Sequence, residues 1–457
     1  MLFCYFACPA KYLKARNLIL LLFSIGFYFF GEPKYTAVML FSIFINYAFG
    51  FLIHKSQEKG LRRRGLLVAA VIINLLVLVY FKYLTFITEN VNALFGLDIQ
   101  MWKIVMPIGI SFFTFQAMSY VFDVYQKTAE VQKNPLNVAL YISMFPQLIA
   151  GPVVRYETVA AEIKSRTSTI EKTAEGIIRF IYGLAKKIIL ANAMGQIADQ
   201  IFAVPTAELS GQIAWLGAIA YTFQIYYDFS GYSDMAIGLG KILGFTFLEN
   251  FNFPYISRSI TEFWRRWHIS LSSWFKDYVY IPLGGNRVGR LRGIVNILLV
   301  WLLTGIWHGA AWNFAVWGLY FAVILVLEKA FLNKLMDRLW RPASHIYAVV
   351  LIIIGWVIFR SENLAYAAGY IAKMFQPQSF FAQGGQAVYY LLQYRVEWIL
   401  AALFSLPVGR FLVKKLGGGG HQTAKYAVRL CFVFLIFGLS ILSLVNSTFN
   451  PFIYFRF

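Results

Sequence analysis

The sequence predicts an all-α polytopic membrane protein, and three observations carry that prediction. Charged residues make up only 14% of the 457-residue chain, where a soluble domain carries roughly 25%. Hydrophobic residues reach 59% and aromatic ones 18%, with a mean hydropathy of +0.62. Apolar runs of about twenty residues, the length a helix needs to cross a hydrocarbon core of about 30 Å, recur from end to end. A soluble enzyme is excluded, and so is a disordered or fibrous chain.

The apolar stretches lie near 17–31, 35–53, 65–87, 104–125, 136–151, 176–194, 208–227, 231–247, 294–327, 345–359, 387–409 and 427–446. They predict about ten to twelve spanning helices, with shorter or re-entrant pieces, in one integral-membrane domain over residues 1–457. The run 294–327 is too long for one crossing, since it would measure about 51 Å as a single helix, so it must break or tilt. Loop charge sets orientation. Lys11, Lys14 and Arg16 place the start inside, as do the five basic residues between Lys55 and Arg64. The loop 88–102, with Glu89 and Asp98 before Lys103, suits the outside. Seven basic residues against Glu249, Glu262 and Asp277 place 248–293 in the cytoplasm. Gly417–Gly420, beside Lys414 and Lys415, reads as a flexible loop.

Lys+Arg 41 against Asp+Glu 21 leaves a net charge of +20. Most of that excess falls between apolar runs, where the positive-inside rule accounts for it and nucleic acid does not. Cys4, Cys8 and Cys431 have no metal-ligand spacing, so no metal site is expected. The opening MLFCYFACPA has no basic n-region and does not read as a cleaved signal peptide.

Of the five histidines, His54, His345 and His421 sit at run ends or in loops. His308 stands inside WLLTGIWHGAAWNFAVWGLY, at membrane depth, where an ionisable group is expensive and is a functional candidate. Gly305 and Gly309 beside it permit a close helix contact or a break. A neutral imidazole there suits a general base for an alcohol. His268 belongs to SITEFWRRWHISLSSWFKDYVYIPLGGNR. Ser259 and Glu262 form a capping box. From there Ile260, Phe263, Trp264, Trp267, Leu271, Trp274, Phe275 and Tyr278 recur at helical spacing, as in an amphipathic helix at the membrane surface. A third stretch, YTFQIYYDFSGYSDMAIGLGKILGF, sets Gln224, Asp228, Ser230, Ser233, Asp234 and Lys241 among apolar residues. These residues fit a polar funnel or substrate contacts, and equally hydrogen bonds between helices. Gly231 marks a possible kink. Asp123, Pro146, Gln147 and Pro152 carry the same two readings.

Taken together these stretches resemble the membrane-bound O-acyltransferase (MBOAT) family, roughly from Asn17 to Phe457. EFWRRWHISLSSWFKDYVYIPLGGNR, TGIWHGAAWNF and the ending NPFIYFRF resemble its bacterial branch that O-acetylates alginate and related polysaccharides. The D-alanyl transfer proteins of teichoic acid synthesis are nearer cousins than the eukaryotic members. Relatives usually begin with a further apolar helix, where this chain has MLFCYFACPA.

The resemblance implies a ring of helices around a thin core in a bacterial cell membrane, with funnels from both faces meeting near His308 and with His268 as the second family histidine. It implies an O-acetyltransferase with no bound cofactor. Its donor is a cytoplasmic thioester, acetyl-CoA or an acylated carrier. Its acceptor is an exported polysaccharide or an extracytoplasmic SGNH-type partner. On that scheme His308 takes the acceptor's proton, and Asn313, Trp307 or backbone N–H groups stabilise the oxyanion. His268 orients the donor or relays a proton, and Arg265 and Arg266 neutralise its phosphates. Asp228 and Ser230 line the substrate path. The competing readings are a proton-coupled transporter or flippase, using His308, Asp228, Asp234 and Lys241, and D-alanyl transfer to teichoic acid.

Overall fold

A computed structural model of the chain describes residues 1–56, 60–102, 104–338, 340–409, 422–446 and 451–453, with side chains for all but 337 and 422–426. The glycine loop 417–420, Lys414, Lys415, His421 and Lys103 lie outside the described residues, as does NPFIYFRF except at 451–453. Every regular element among the described residues is helical. Among the described residues seven helices are long and apolar enough to cross a membrane. The stretch 136–151 breaks into Pro135–Ser143 and Phe145–Leu148, and 208–227 joins 231–247 in one helix, Gly211–Ile242.

The chain divides into two compact units. Unit 1 comprises Met1–Ile177 and Ala236–Leu248. It contains the spans α1 (Leu13–Gly31), α2 (Thr36–Lys55) and α3 (Gly60–Phe95). Buried polar pairs fasten its helices, because an unpaired amide in an apolar interior is costly. Asn46 of α2 and Asn74 of α3 exchange amide hydrogen bonds of 2.9 Å in both directions. Asp123 accepts from the Glu157 N–H at 3.0 Å, and Gln147 donates to the Tyr141 carbonyl at 2.9 Å. These residues thus act as helix fasteners.

Unit 2 comprises Ile178–Met235 and Glu249–Phe457. Its main elements are α4 (Asn192–Phe202), α5 (Gly211–Ile242, up to Met235), α6 (Ile260–Arg266), α7 (Ile269–Phe275), α8 (Arg290–His308), α9 (Trp312–Leu327), α10 (Asn333–Arg338) and α11 (Arg341–Arg360). The long apolar run is interrupted at Gly309–Ala311, so α8 and α9 are separate helices. They cross closely, because Gly305 meets the Phe314 carbonyl and Gly318 meets the Trp301 carbonyl, where a Cβ would collide with backbone. Gly231 marks no kink. It sits within α5 and lets that helix approach the Gly183 carbonyl. The core of the unit is aromatic, with Phe263, Trp267, Trp317, Phe321, Trp356 and Phe359 all buried.

Candidate active site

The Ser259 cap forms, with Glu262 reaching back one residue beyond it. Ser259 Oγ accepts from the Glu262 N–H at 3.0 Å, and Glu262 Oε2 accepts from the Arg258 N–H at 3.0 Å. A second carboxylate anchors the same helix end. Glu328, fully buried, accepts from the Ile260 and Thr261 N–H groups at 2.7 and 2.8 Å and from the Thr261 hydroxyl at 2.6 Å. An anion suits the donor-rich N-terminus of a helix.

The stretch from Ile260 to Tyr278, read from its spacing as one amphipathic helix, is instead two seven-residue helices and a π-helical turn. The break falls at Trp267 and His268, where His268 takes a left-handed backbone, φ 44°. That conformation costs a residue with a side chain about 1–3 kcal/mol and needs support. The aromatic residues at the helical positions are buried in the unit, because two short helices can turn both their apolar faces inward.

Asn250 supplies the support. Its carbonyl oxygen lies 3.1 Å from His268 Nδ1 and accepts from the Ser270 N–H at 3.2 Å and the Ser270 hydroxyl at 2.8 Å. Its amide donates to Ser233 Oγ at 3.1 Å, which fixes the orientation of the carboxamide. His268 therefore carries its proton on Nδ1 and its lone pair on Nε2. Burial lowers its pKa from 6.5 to about 3, so the ring is neutral at physiological pH.

His308 ends α8 and is buried, with 7% exposure. Its ring lies edge-to-face on Trp307 (4.8 Å between centroids), Trp317 (5.1 Å) and Phe359 (5.3 Å). Trp307 also lies 6.2 Å from His268, which in turn packs on Phe229 at 4.5 Å. One indole is thus in ring contact with both imidazoles. Asn313, in the first turn of α9, donates to the Ser361 carbonyl at 2.9 Å and reaches the Phe359 carbonyl at 3.5 Å. It ties the α8–α9 break to the end of α11, whose Phe359 rests on His308.

The other predicted residues are placed differently. Arg265 is exposed. Arg266 bonds Glu262 at 2.9 Å and the Asn252 carbonyl at 3.1 Å. Asp228 forms a buried ion pair with Lys187. That pair also grips backbone, Asp228 accepting from the Ile453 N–H at 2.8 Å and Lys187 donating to the Pro451 carbonyl at 3.2 Å. Asp234 is bonded by Arg179 at 2.7 Å and Lys186 at 2.6 Å. Ser230 is buried, and its hydroxyl has no hydrogen-bond partner among the described residues. No group of three or more His, Cys, Asp or Glu side chains among the described residues is arranged to hold a metal. Asn250, Glu328 and Lys187 are absent from the sequence-based candidates. Only Glu328 carried a signal, as an acid at the end of an apolar run.

The family model described as membrane-bound O-acyltransferase matches residues 109–368, a span that contains every predicted site residue. The chain is 38% identical to a probable alginate O-acetylase of Azotobacter vinelandii, across 99% of its own length and 96% of the relative's. It is 36% identical to a peptidoglycan O-acetyltransferase of Helicobacter pylori, across 76% and 71% of the two chains. It is 30% identical to a teichoic acid D-alanyltransferase of Bacillus subtilis, across 55% and 66%.

Proposed function

The chain belongs to the membrane-bound O-acyltransferase family, and from that premise we propose that it moves an acetyl group from a cytoplasmic thioester to a hydroxyl destined for an exported polysaccharide, with His308 as general base. It is a multi-pass membrane acyltransferase. The observation that carries the reading is the pair of buried imidazoles, His268 and His308, flanking Trp307 in an aromatic interior. Two ionisable groups buried in an apolar interior are costly without a chemical use. The relatives named for alginate and peptidoglycan O-acetylation favour acetyl over D-alanyl and a glycan as final acceptor.

A thioester is already activated, so the acceptor hydroxyl attacks its carbonyl directly. His308 takes the hydroxyl proton as the carbon–oxygen bond forms, a contribution of about 10²–10⁴ in rate. The tetrahedral intermediate collapses, the carbon–sulfur bond breaks, and the imidazolium returns the proton to the leaving thiolate. His268, neutral and with its lone pair on Nε2, orients the donor or relays that proton. Asn313 serves as a positioning residue, because its N–H groups are directed to the carbonyls of α11. Trp307 shields the reacting atoms from water.

Asp228 and Asp234, which a proton-coupled transporter would need to titrate, sit in ion pairs with lysine and arginine partners, and this favours the enzymatic reading. The test is the purified His308→Ala protein, checked for folding and assayed for transfer or hydrolysis from labelled acetyl-CoA. A fall of at least about 10² in turnover is expected. Wild-type turnover would overturn the assignment.

A further inference from the structure

A cavity of about 520 Å³ opens where α6 begins, between that helix, α10 and the start of α11. Its lining includes Arg258, Ser259, Glu262, Asn333, Arg341 and Ser344. Most of these groups are already engaged. The Ser259 hydroxyl caps Glu262, Glu262 holds Arg266, and Ser344 donates to the Met336 carbonyl at 3.2 Å. The N–H groups beneath are taken by Glu328. What remains is two guanidinium groups and one carboxamide. The side chains of Arg258, Arg341 and Asn333 are exposed and form no hydrogen bond or salt bridge with another described residue.

We propose that this cavity holds a phosphate of the thioester donor, through Arg258, Arg341 and Asn333. This rests on the function proposed above. Forked guanidinium donors match phosphate oxygens, and the volume lies within the range of small-molecule sites. The lining is polar, with Met336 its one thioether, and offers no wall for an acyl chain, which argues for a water-borne phosphate over a lipid headgroup. The cavity also has the right address. The seven residues of α6 run about 10 Å, from Arg258 at its mouth to the bend that carries His268. Arg266, held by Glu262 and the Asn252 carbonyl, thereby gives up the phosphate role to residues whose donors are available.

The test uses the full chain in nanodiscs, with acetyl-CoA and acetyl-pantetheine, which lacks phosphate, as the two donors. The Arg258→Gln/Arg341→Gln protein should show a KM for acetyl-CoA raised about tenfold to a hundredfold, the scale of charge-assisted contacts. Its KM for acetyl-pantetheine should match that of wild type, and added salt should raise the wild-type KM for acetyl-CoA alone. Three results would overturn the inference: an unchanged KM for acetyl-CoA, an equal rise for both donors, or an effect confined to nanodiscs with anionic lipid. The His308→Ala protein should still bind CoA with wild-type affinity. Loss of the base assignment and loss of the phosphate site are therefore separately visible.

Discussion

Asn250→Ala removes the carboxamide that supports His268 in its left-handed turn. Four hydrogen bonds go with it, to His268, to Ser233, and two to Ser270. At about 1 kcal/mol each, their loss destabilises the folded protein by up to about 4 kcal/mol. The consequence for turnover is separate. His268 then relaxes toward an ordinary backbone, and a shift of its ring lowers kcat by about tenfold to a hundredfold. The assay is detergent-solubilised protein, with unfolding temperature and acetyl transfer measured on the same sample. A variant with wild-type kcat and wild-type unfolding temperature would show that Asn250 does not position His268.

Asn250→Asp separates electrostatics from shape. Wild-type His268 resists protonation down to about pH 3, while the same group in the unfolded chain takes a proton near 6.5. Its folded pKa is depressed, so the stability it contributes is present above pH 6.5 and is lost as pH falls toward 3. A carboxylate placed 3.1 Å from Nδ1 favours the imidazolium. The Asp variant should therefore lose less stability than wild type as pH falls below 6.5, and an identical pH dependence in the two proteins would refute the argument.

Further expectations concern the scaffold. Glu328→Gln turns an amide N–H toward the Ile260 and Thr261 donors and should cost about 2–3 kcal/mol, read as a lower unfolding temperature. Asp228→Asn or Lys187→Met leaves one member of a buried ion pair uncompensated. Each should destabilise by about 3–5 kcal/mol and expose the segment at 451–453 to carboxypeptidase, whereas replacing both with apolar residues should do less harm. Gly318→Leu drives a side chain into the Trp301 carbonyl, forcing α8 and α9 apart, and should abolish turnover even where folded protein is recovered. Trp307→Ala should lower turnover more than Trp307→Phe, since Phe keeps a ring against the two histidines.

What the sequence discloses and what it hides follow from the range of the interactions concerned. Membrane residence, helical class and the prominence of His308 are legible because they rest on composition and on one ionisable group within an apolar run. The Ser259–Glu262 box is legible for the same reason, since its partners lie within one helical turn. The bend at His268 is not. Its aromatic spacing fits a continuous helix, and the break is imposed by Asn250, eighteen positions away, whose carboxamide meets His268 only once the chain has folded back. Glu328 caps a helix that begins sixty-eight residues before it, and no local pattern marks that partnership. Conversely, Asp228 and Arg266 draw attention as charges near a candidate site, yet each is engaged by a partner that burial demands. In an apolar interior most polar residues must serve such fastening roles, so a polar residue there is evidence of cost. Which of them serve the reaction is decided by what their donors and acceptors already hold.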